Sequence, residues 1–212
     1  MSTLLFYDDT HKYTVDGEEV PSVSELTRFL TRELYTDAPQ YFLDQAAKRG
    51  TNVHKATEAI DKFGTVEVED EYAGFVKAYV AFMKEHDVAW DKIEWSVYNG
   101  HKKAPLYAGT LDRYGAVDGK VGILDIKTTA NISNLHKLCY TAQLNLYKLA
   151  VEKEKPVEGL WVLQLKKDGT YKLIPIEENK ELAEACLTMH YAIKNCKRRR
   201  KKKNDQNQCE EE

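Results

Sequence analysis

The chain has no close pair of cysteines. Its four, Cys139, Cys186, Cys196 and Cys209, include no C-x-x-C spacing, which argues against a disulfide framework and against a zinc site and leaves them as reduced, mostly structural thiols. No apolar run approaches the roughly 18 to 20 residues that a membrane span needs. The opening MSTLLFYDDTHKY lacks the basic-then-apolar order of a secretory signal, so a cytoplasmic protein without a membrane partner is expected. No G-x-x-x-x-G-K-S/T stretch is present to cradle nucleotide phosphates, so no fused ATP-driven helicase is expected, and no internal repeat recurs at a fixed period.

What is present is a soluble globular balance. The 212 residues are 42% hydrophobic and 31% charged, enough for one domain with a substantial core. That domain is expected over 1–196. The remaining 197–212 read as a charged, flexible tail, because KRRRKKK (Lys197 to Lys203) is a block of like charge and the chain closes on EEE. The basic block is either a solubilising tail or a source of sequence-independent affinity for a phosphate backbone. It coexists with a net charge of -3, since a local basic rim can operate within a mildly acidic protein.

Periodicity supplies the element order. FYDDTHKYTVDGEEVPSV alternates as a hairpin with turns at Asp8 to Thr10 and at Asp16-Gly17. Ser22 and Glu25 have capping-box spacing and open a short helix. A second helix is expected over APQYFLDQAAKR, started by Asp37 with Gln40 at the third position and punctuated by Gly50. Two amphipathic helices then follow, on Val53, Ala56, Ile60 and Phe63 and on Tyr72, Phe75, Val76, Tyr79 and Phe82. KIEWSVYN, LYAGTLDRYGAV and KVGILDIKTT form a three-strand meander with a tight turn at Asp118-Gly119. A long helix from SNLHKL, a hairpin turning near Asp168-Gly169 and a closing helix complete an α/β core, a mixed sheet flanked by helices.

Chemistry concentrates in that meander. Residues two apart on a strand face one side, so Asp125 and Lys127 project together while Leu124 and Ile126 point into packing. Across the Asp118-Gly119 turn, Asp112 can lie close to Asp125, and two carboxylates in an apolar sheet repel unless a cation compensates them. Hard divalent ions such as Mg²⁺ or Mn²⁺ suit such oxygen donors. The Lys127 ammonium would then position or help deprotonate a water, or neutralise charge growing on a phosphoryl oxygen. Taken alone, an Asp-x-Lys on a strand is more often a solvated surface pair.

Four separated pieces change that balance. RGTNVHKATE (Arg49 to Glu58), GTLDRYG (Gly109 to Gly115), ILDIKTT (Ile123 to Thr129) and YTAQLNLY (Tyr140 to Tyr147), in this order, resemble the PD-(D/E)XK nuclease superfamily. The likeness is greatest to its RecB-like branch of phage exonucleases and CRISPR spacer-acquisition nucleases. The opening HKYTVDGEEVPSVSEL also looks like the leader of phage-encoded members. The resemblance implies a restriction-endonuclease-like fold, with His54, Asp112, Asp125 and the Ile126 carbonyl as metal ligands and Lys127 as the catalytic lysine. Gln143 and Tyr147, four apart on one helix face, would support the site by reaching the DNA strand or orienting Lys127. A lone histidine on such a helix is more simply a core-edge residue; its place inside RGTNVHKATE is what argues for a ligand.

Glu58 either hydrogen-bonds His54 or is solvated, and Glu94 either faces the site from the first strand or, more simply, is an exposed strand residue. The chain departs from cluster-bearing relatives in having no cysteine before Cys139 and no close C-terminal trio, so an iron-sulfur cluster is not expected. The implied activity is Mg²⁺- or Mn²⁺-dependent exonucleolytic hydrolysis of DNA. The implied origin is a phage or mobile element, and the implied setting is recombination, replication or DNA breakdown, with a single-strand annealing protein as a possible partner. A structure-specific endonuclease on the same fold, a non-cleaving DNA-binding accessory module, and an RNA or nucleotide hydrolase are the alternatives.

Overall fold

The structure, a computed structural model, describes residues 3–7, 10–101 and 104–209. The N-terminal hairpin is extended by a third strand. β1 (Leu4–Tyr7), β2 (Lys12–Val15) and β3 (Glu18–Val20) form an antiparallel sheet in that order. Asp16 and Gly17 link β2 to β3 with φ of 51° and 87°, the paired left-handed conformations of a type I′ turn. The turn expected at Asp8 to Thr10 falls largely outside the described residues.

Ser22 caps α1 (Val23–Leu26) as expected: its hydroxyl accepts the Glu25 N–H at 3.0 Å and the Glu25 carboxylate accepts the Ser22 N–H at 2.8 Å. After α2 (Arg28–Leu34), two expected helices turn out to be one. α3 spans Gln40–Phe63, with Pro39 rather than Asp37 at its start, no side-chain cap, and no break at Gly50. One interior glycine weakens a helix by only about 1 kcal/mol, too little to end one whose far half packs Val53 and Ala56 into the core. Gly64, at φ 79°, does end it, donating its N–H to the Ile60 carbonyl.

α4 (Asp70–Glu85) leads into the main sheet, made of β4 (Val88–His101), β5 (Ala104–Val117), β6 (Lys120–Lys127), β7 (Gly159–Leu165) and β8 (Tyr171–Pro175) in that spatial order. β6 and β7 run parallel, joined by the crossover helix α5 (Asn134–Val151), and the other neighbours are antiparallel. This is the expected α/β arrangement, a mixed sheet between helices with a small antiparallel sheet at the N-terminus. α6 (Lys180–Cys209) closes the chain. It carries straight through Lys197 to Lys203, so the basic block is helical and the backbone shows no boundary at 196. Among the described residues no helix is long and apolar enough to cross a membrane.

Two cores lie on opposite faces of the sheet. Val53 of α3 and Tyr72, Phe75, Tyr79 and Phe82 of α4 pack with Leu124, Ile126, Leu163 and Leu165. On the other face Leu144, Leu146 and Tyr147 of α5 pack with Leu111, Tyr114, Ile123 and α6, where Cys139 and Cys186 are buried as structural thiols. β6 alternates cleanly between the cores, but β5 does not. Leu111 and Tyr114, three apart, share the α5 core, so the pleat is interrupted at Asp112 and Arg113. Opposite this interruption, between the pairs Ile93↔Arg113 and Trp95↔Leu111, Glu94 has φ 47°, a conformation that disfavours a residue with a Cβ by on the order of 1 kcal/mol or more.

Candidate active site

The site forms where β5 and β6 part. Their ladder ends at Arg113↔Leu124, while β6 remains paired with β7 as far as Lys127↔Gln164. Ile126 therefore needs other partners for its peptide groups, since buried backbone polar groups are almost always satisfied. Asp112 Oδ2 accepts the Ile126 N–H at 2.6 Å, and His54 Nε2 meets the Ile126 carbonyl at 3.0 Å. Two side chains complete the peptide that a neighbouring strand would have completed.

His54 links three elements. Its Nδ1 lies 3.5 Å from Asp112 Oδ1 and 3.9 Å from Glu94 Oε1, and one ligand atom from each of His54, Glu94 and Asp112 falls within 4.8 Å of the others. Burial opposes charge on the imidazole, but Asp112 and Glu94 outweigh it and push His54 up to about 9. Nε2, facing a carbonyl, is the donor there, while Nδ1 faces the two carboxylates at ion-pair distance. Glu94, expected to be exposed, instead faces His54 and is held at 3.1 Å by the Arg113 guanidinium. Glu58 pairs with Lys62, one turn on, and not with His54.

Asp125 and Lys127 lie on the α5 side, as strand alternation requires. Gln143 Nε2 donates to Asp125 Oδ1 at 3.1 Å. Asp125 Oδ2 is buried and takes no well-aligned hydrogen bond; only the Lys127 ammonium, 2.7 Å away, balances it. Burial pushes the Asp125 carboxyl up to about 6, with the Lys127 charge pulling down and the Asp112 charge pushing further up. Burial likewise opposes the Lys127 charge, yet Asp125 and Asp112 hold the ammonium protonated well above the usual lysine range. Lys127 also lies 5.3 Å from the centroid of the Tyr140 ring. Tyr147, one turn past Gln143, donates to the Thr110 carbonyl at 2.7 Å and so braces β5; burial pushes its hydroxyl up, and the nearby charges of Asp125 and Asp112 push it further.

Sequence inspection passed over Arg113, Asp61, Thr57 and Tyr140. Arg113 has no exposed side-chain surface. It donates from Nε to Asp61 at 2.6 Å, from Nη1 to Glu94 at 3.1 Å and to the Asp112 carbonyl at 2.8 Å, and from Nη2 to Thr57 at 3.1 Å. The signals were there: His54, Thr57 and Asp61 stand at +3 and +4 on α3, Tyr140 and Gln143 at +3 on α5, and an arginine inside an apolar strand needs a buried anion.

The donor set fits a hard divalent cation. Carboxylates, a carbonyl and one imidazole converge, and one buried carboxylate oxygen lacks a hydrogen bond. His54 Nε2 and the Ile126 carbonyl face one another at 3.0 Å. Ligation would require His54 to give up the proton it now directs at that carbonyl.

No family model and no curated protein matches the chain. Among solved structures it is similar to the crystal structure of SSO0001, at 17% sequence identity and a TM-score of 0.45, over 80% of this chain and 76% of that one.

Proposed function

We propose that this protein is a metal-dependent DNA nuclease, an exonuclease that hydrolyses phosphodiester bonds with Mg²⁺ or Mn²⁺. The observation that carries it is the convergence of His54, Glu94 and Asp112 on one side of the Ile126 peptide and a buried, lysine-balanced Asp125 on the other. His54, Asp112, Asp125 and the Ile126 carbonyl would hold the ion, with Glu94 within reach. Bound there, the cation would supply Lewis acidity toward a phosphoryl oxygen and toward water.

The chain's own groups divide the remaining work. Lys127, 2.7 Å from Asp125, is placed to stabilise the charge growing on a phosphoryl oxygen and to orient or help deprotonate the attacking water. As the water oxygen bonds to phosphorus it gives up a proton to solvent, and the bond from phosphorus to the departing nucleotide oxygen breaks, that oxygen taking up a proton from solvent. Gln143 holds Asp125 in orientation, and Tyr147 fixes the strand that presents Asp112. Arg113 holds Glu94 and the Asp112 backbone in place.

The test is digestion of end-labelled linear DNA, single- and double-stranded, beside covalently closed circles, in Mg²⁺, in Mn²⁺ and in chelator, with wild type and Lys127→Ala. Loss of linear but not circular DNA, abolished by chelator and by the substitution, is the expected result. Cutting of circles would replace the exonuclease with an endonuclease. Binding with no cleavage under either metal would leave a DNA-binding accessory module, a possible helper of a recombination protein.

A further inference from the structure

A cleft of about 470 Å³ opens against the segment that follows Lys127. Its wall includes Thr128, Gln45 and Arg49 of α3, and Lys166 and Lys167 from the β7–β8 turn. Arg49 is tied to the site's edge: its Nε donates to Thr128 Oγ1 at 3.3 Å and its guanidinium lies 6.0 Å from the Phe75 ring centroid. Among the described residues both its terminal nitrogens lack a hydrogen-bond partner, and Lys166 and Lys167 form no ion pair. Two carboxylates also line the cleft, those of Glu71 and Asp168. Asp168 turns its own back onto the Thr170 N–H and hydroxyl at 2.9 and 2.6 Å.

The lysine-bearing turn is built into place. A Cβ at Gly74 of α4 would stand 1.8 Å from the Lys167 carbonyl oxygen, so only glycine lets the turn seat on α4. Gln164 Nε2 donates to the Thr129 and Ala130 carbonyls at 2.7 and 2.9 Å, and this holds the opposite wall.

On α3, Tyr41, Gln45 and Arg49 repeat every four residues and so share one face, which runs from the cleft out to the start of the helix. There Tyr41 and Phe42 are 67% and 64% exposed and touch edge to face, ring centroids 5.6 Å apart. Two adjacent solvated rings in line with a cationic groove are the pairing that binds unpaired nucleic acid. Cations track the phosphates, and aromatic faces stack on bases, which are available only where the strand is single.

We infer, on the nuclease reading above, that α3 and the β7–β8 turn form a track for a single nucleic-acid strand leading to Lys127, with Arg49, Lys166 and Lys167 on phosphates and Tyr41 and Phe42 stacked on bases. Single-stranded DNA, or the frayed end of a duplex, is then the form the site receives. The basic block of α6 has no bearing on this preference, because simple charge attracts single strands and duplexes alike.

Fluorescence anisotropy with labelled oligo(dT) and with a blunt duplex, on the full chain in chelator, tests the track. Wild type should bind oligo(dT) more tightly than duplex. The double substitution Tyr41→Ala, Phe42→Ala should weaken oligo(dT) binding roughly thirtyfold or more with the melting temperature unchanged, while Tyr41→Trp, Phe42→Trp should retain it. Replacing Arg49, Lys166 and Lys167 by Gln should flatten the salt dependence of log affinity by about 2, at about 0.7 per phosphate. Unchanged oligo(dT) affinity in the alanine pair, equal or tighter duplex binding by wild type, or no oligo(dT) binding at all overturns the track. The first of these results would mean that the aromatic pair docks something else, such as a protein. Chelator-sensitive cleavage with aromatic-independent binding sinks the track and spares the nuclease. Aromatic-dependent binding without cleavage does the reverse.

Discussion

Asp112 and Arg113 are neighbours on β5, yet they belong to ionic clusters of opposite character. The Arg113 cluster is closed. Arg113 and Asp61 are 0% and 1% exposed, and Asp61 also accepts the Tyr79 hydroxyl at 2.7 Å, which itself accepts the Trp90 indole N–H at 3.2 Å. Every charge there has a partner and a fixed geometry. The cluster around Asp112 is open: Asp125 Oδ2 has only an ion-pair partner, Lys127 is 23% exposed, and His54 carries a proton that metal binding would displace. One cluster holds the scaffold rigid, and the other keeps coordination and charge available. Glu94 spans both, bonded to Arg113 and facing His54, with its strained backbone at the junction.

The contrast breaks most visibly if the closed cluster is opened. Arg113→Met leaves Asp61 buried without its cation and should lower unfolding free energy by about 3–5 kcal/mol in urea denaturation; a loss under about 1 kcal/mol would show that the closed cluster is not what holds β5 to α3. Lys127→Met should do the opposite. The loss of stability should be the smaller of the two, because Lys127 is 23% exposed where Arg113 is fully buried, whereas the proposed nuclease turnover should fall roughly a hundredfold or more. Equal effects of the two substitutions on melting temperature would erase the distinction.

Metal sharpens it further. Mn²⁺ should raise the melting temperature of wild type saturably, by the equivalent of about 2.7 kcal/mol at a hundred times its dissociation constant. Asp112→Asn should abolish the rise and Asp61→Asn should preserve it. A rise that survives Asp112→Asn would place the ion elsewhere.

The contrast also shows in pH dependence in chelator. Asp125 titrates at about 6 in the fold against an ordinary 3.8, so the folded state binds its proton more tightly and stability falls as pH rises from about 4 to about 6. His54 titrates at about 9 against 6.5; its contribution is complete below about pH 6.5 and is lost as pH climbs through about 9. Asp125→Asn should remove the lower fall and His54→Gln the upper. A melting temperature flat across both windows would contradict the charge states described.

Legibility followed the range of the interaction. The Ser22–Glu25 cap, the turns at Asp16-Gly17 and Asp118-Gly119 and the shared face of Asp125 and Lys127 depend on residues a few positions apart, and each could be read directly. Gly50 misled because a helix boundary depends on the tertiary packing of the whole helix and not on one weak residue. Glu94 misled because its side chain is turned by a left-handed backbone that strand alternation does not anticipate. Tyr147 falls on the expected face, but its hydroxyl goes to Thr110, a contact decided by where β5 lies.

The sequence by itself therefore determined most of the element order, the α/β class and the candidate groups His54, Asp112, Asp125 and Lys127, since hydrophobic period, turn chemistry and caps are local. Only the tertiary structure decided that β5 and β6 separate beyond Arg113 and Leu124, and that Asp112 and His54 complete the Ile126 peptide. It also decided that Arg113 withdraws into a closed cluster while Lys127 remains at the edge. Those outcomes depend on how buried backbone groups and charges find partners across strands and helices far apart in the chain, a constraint that acts only once the sheet is assembled.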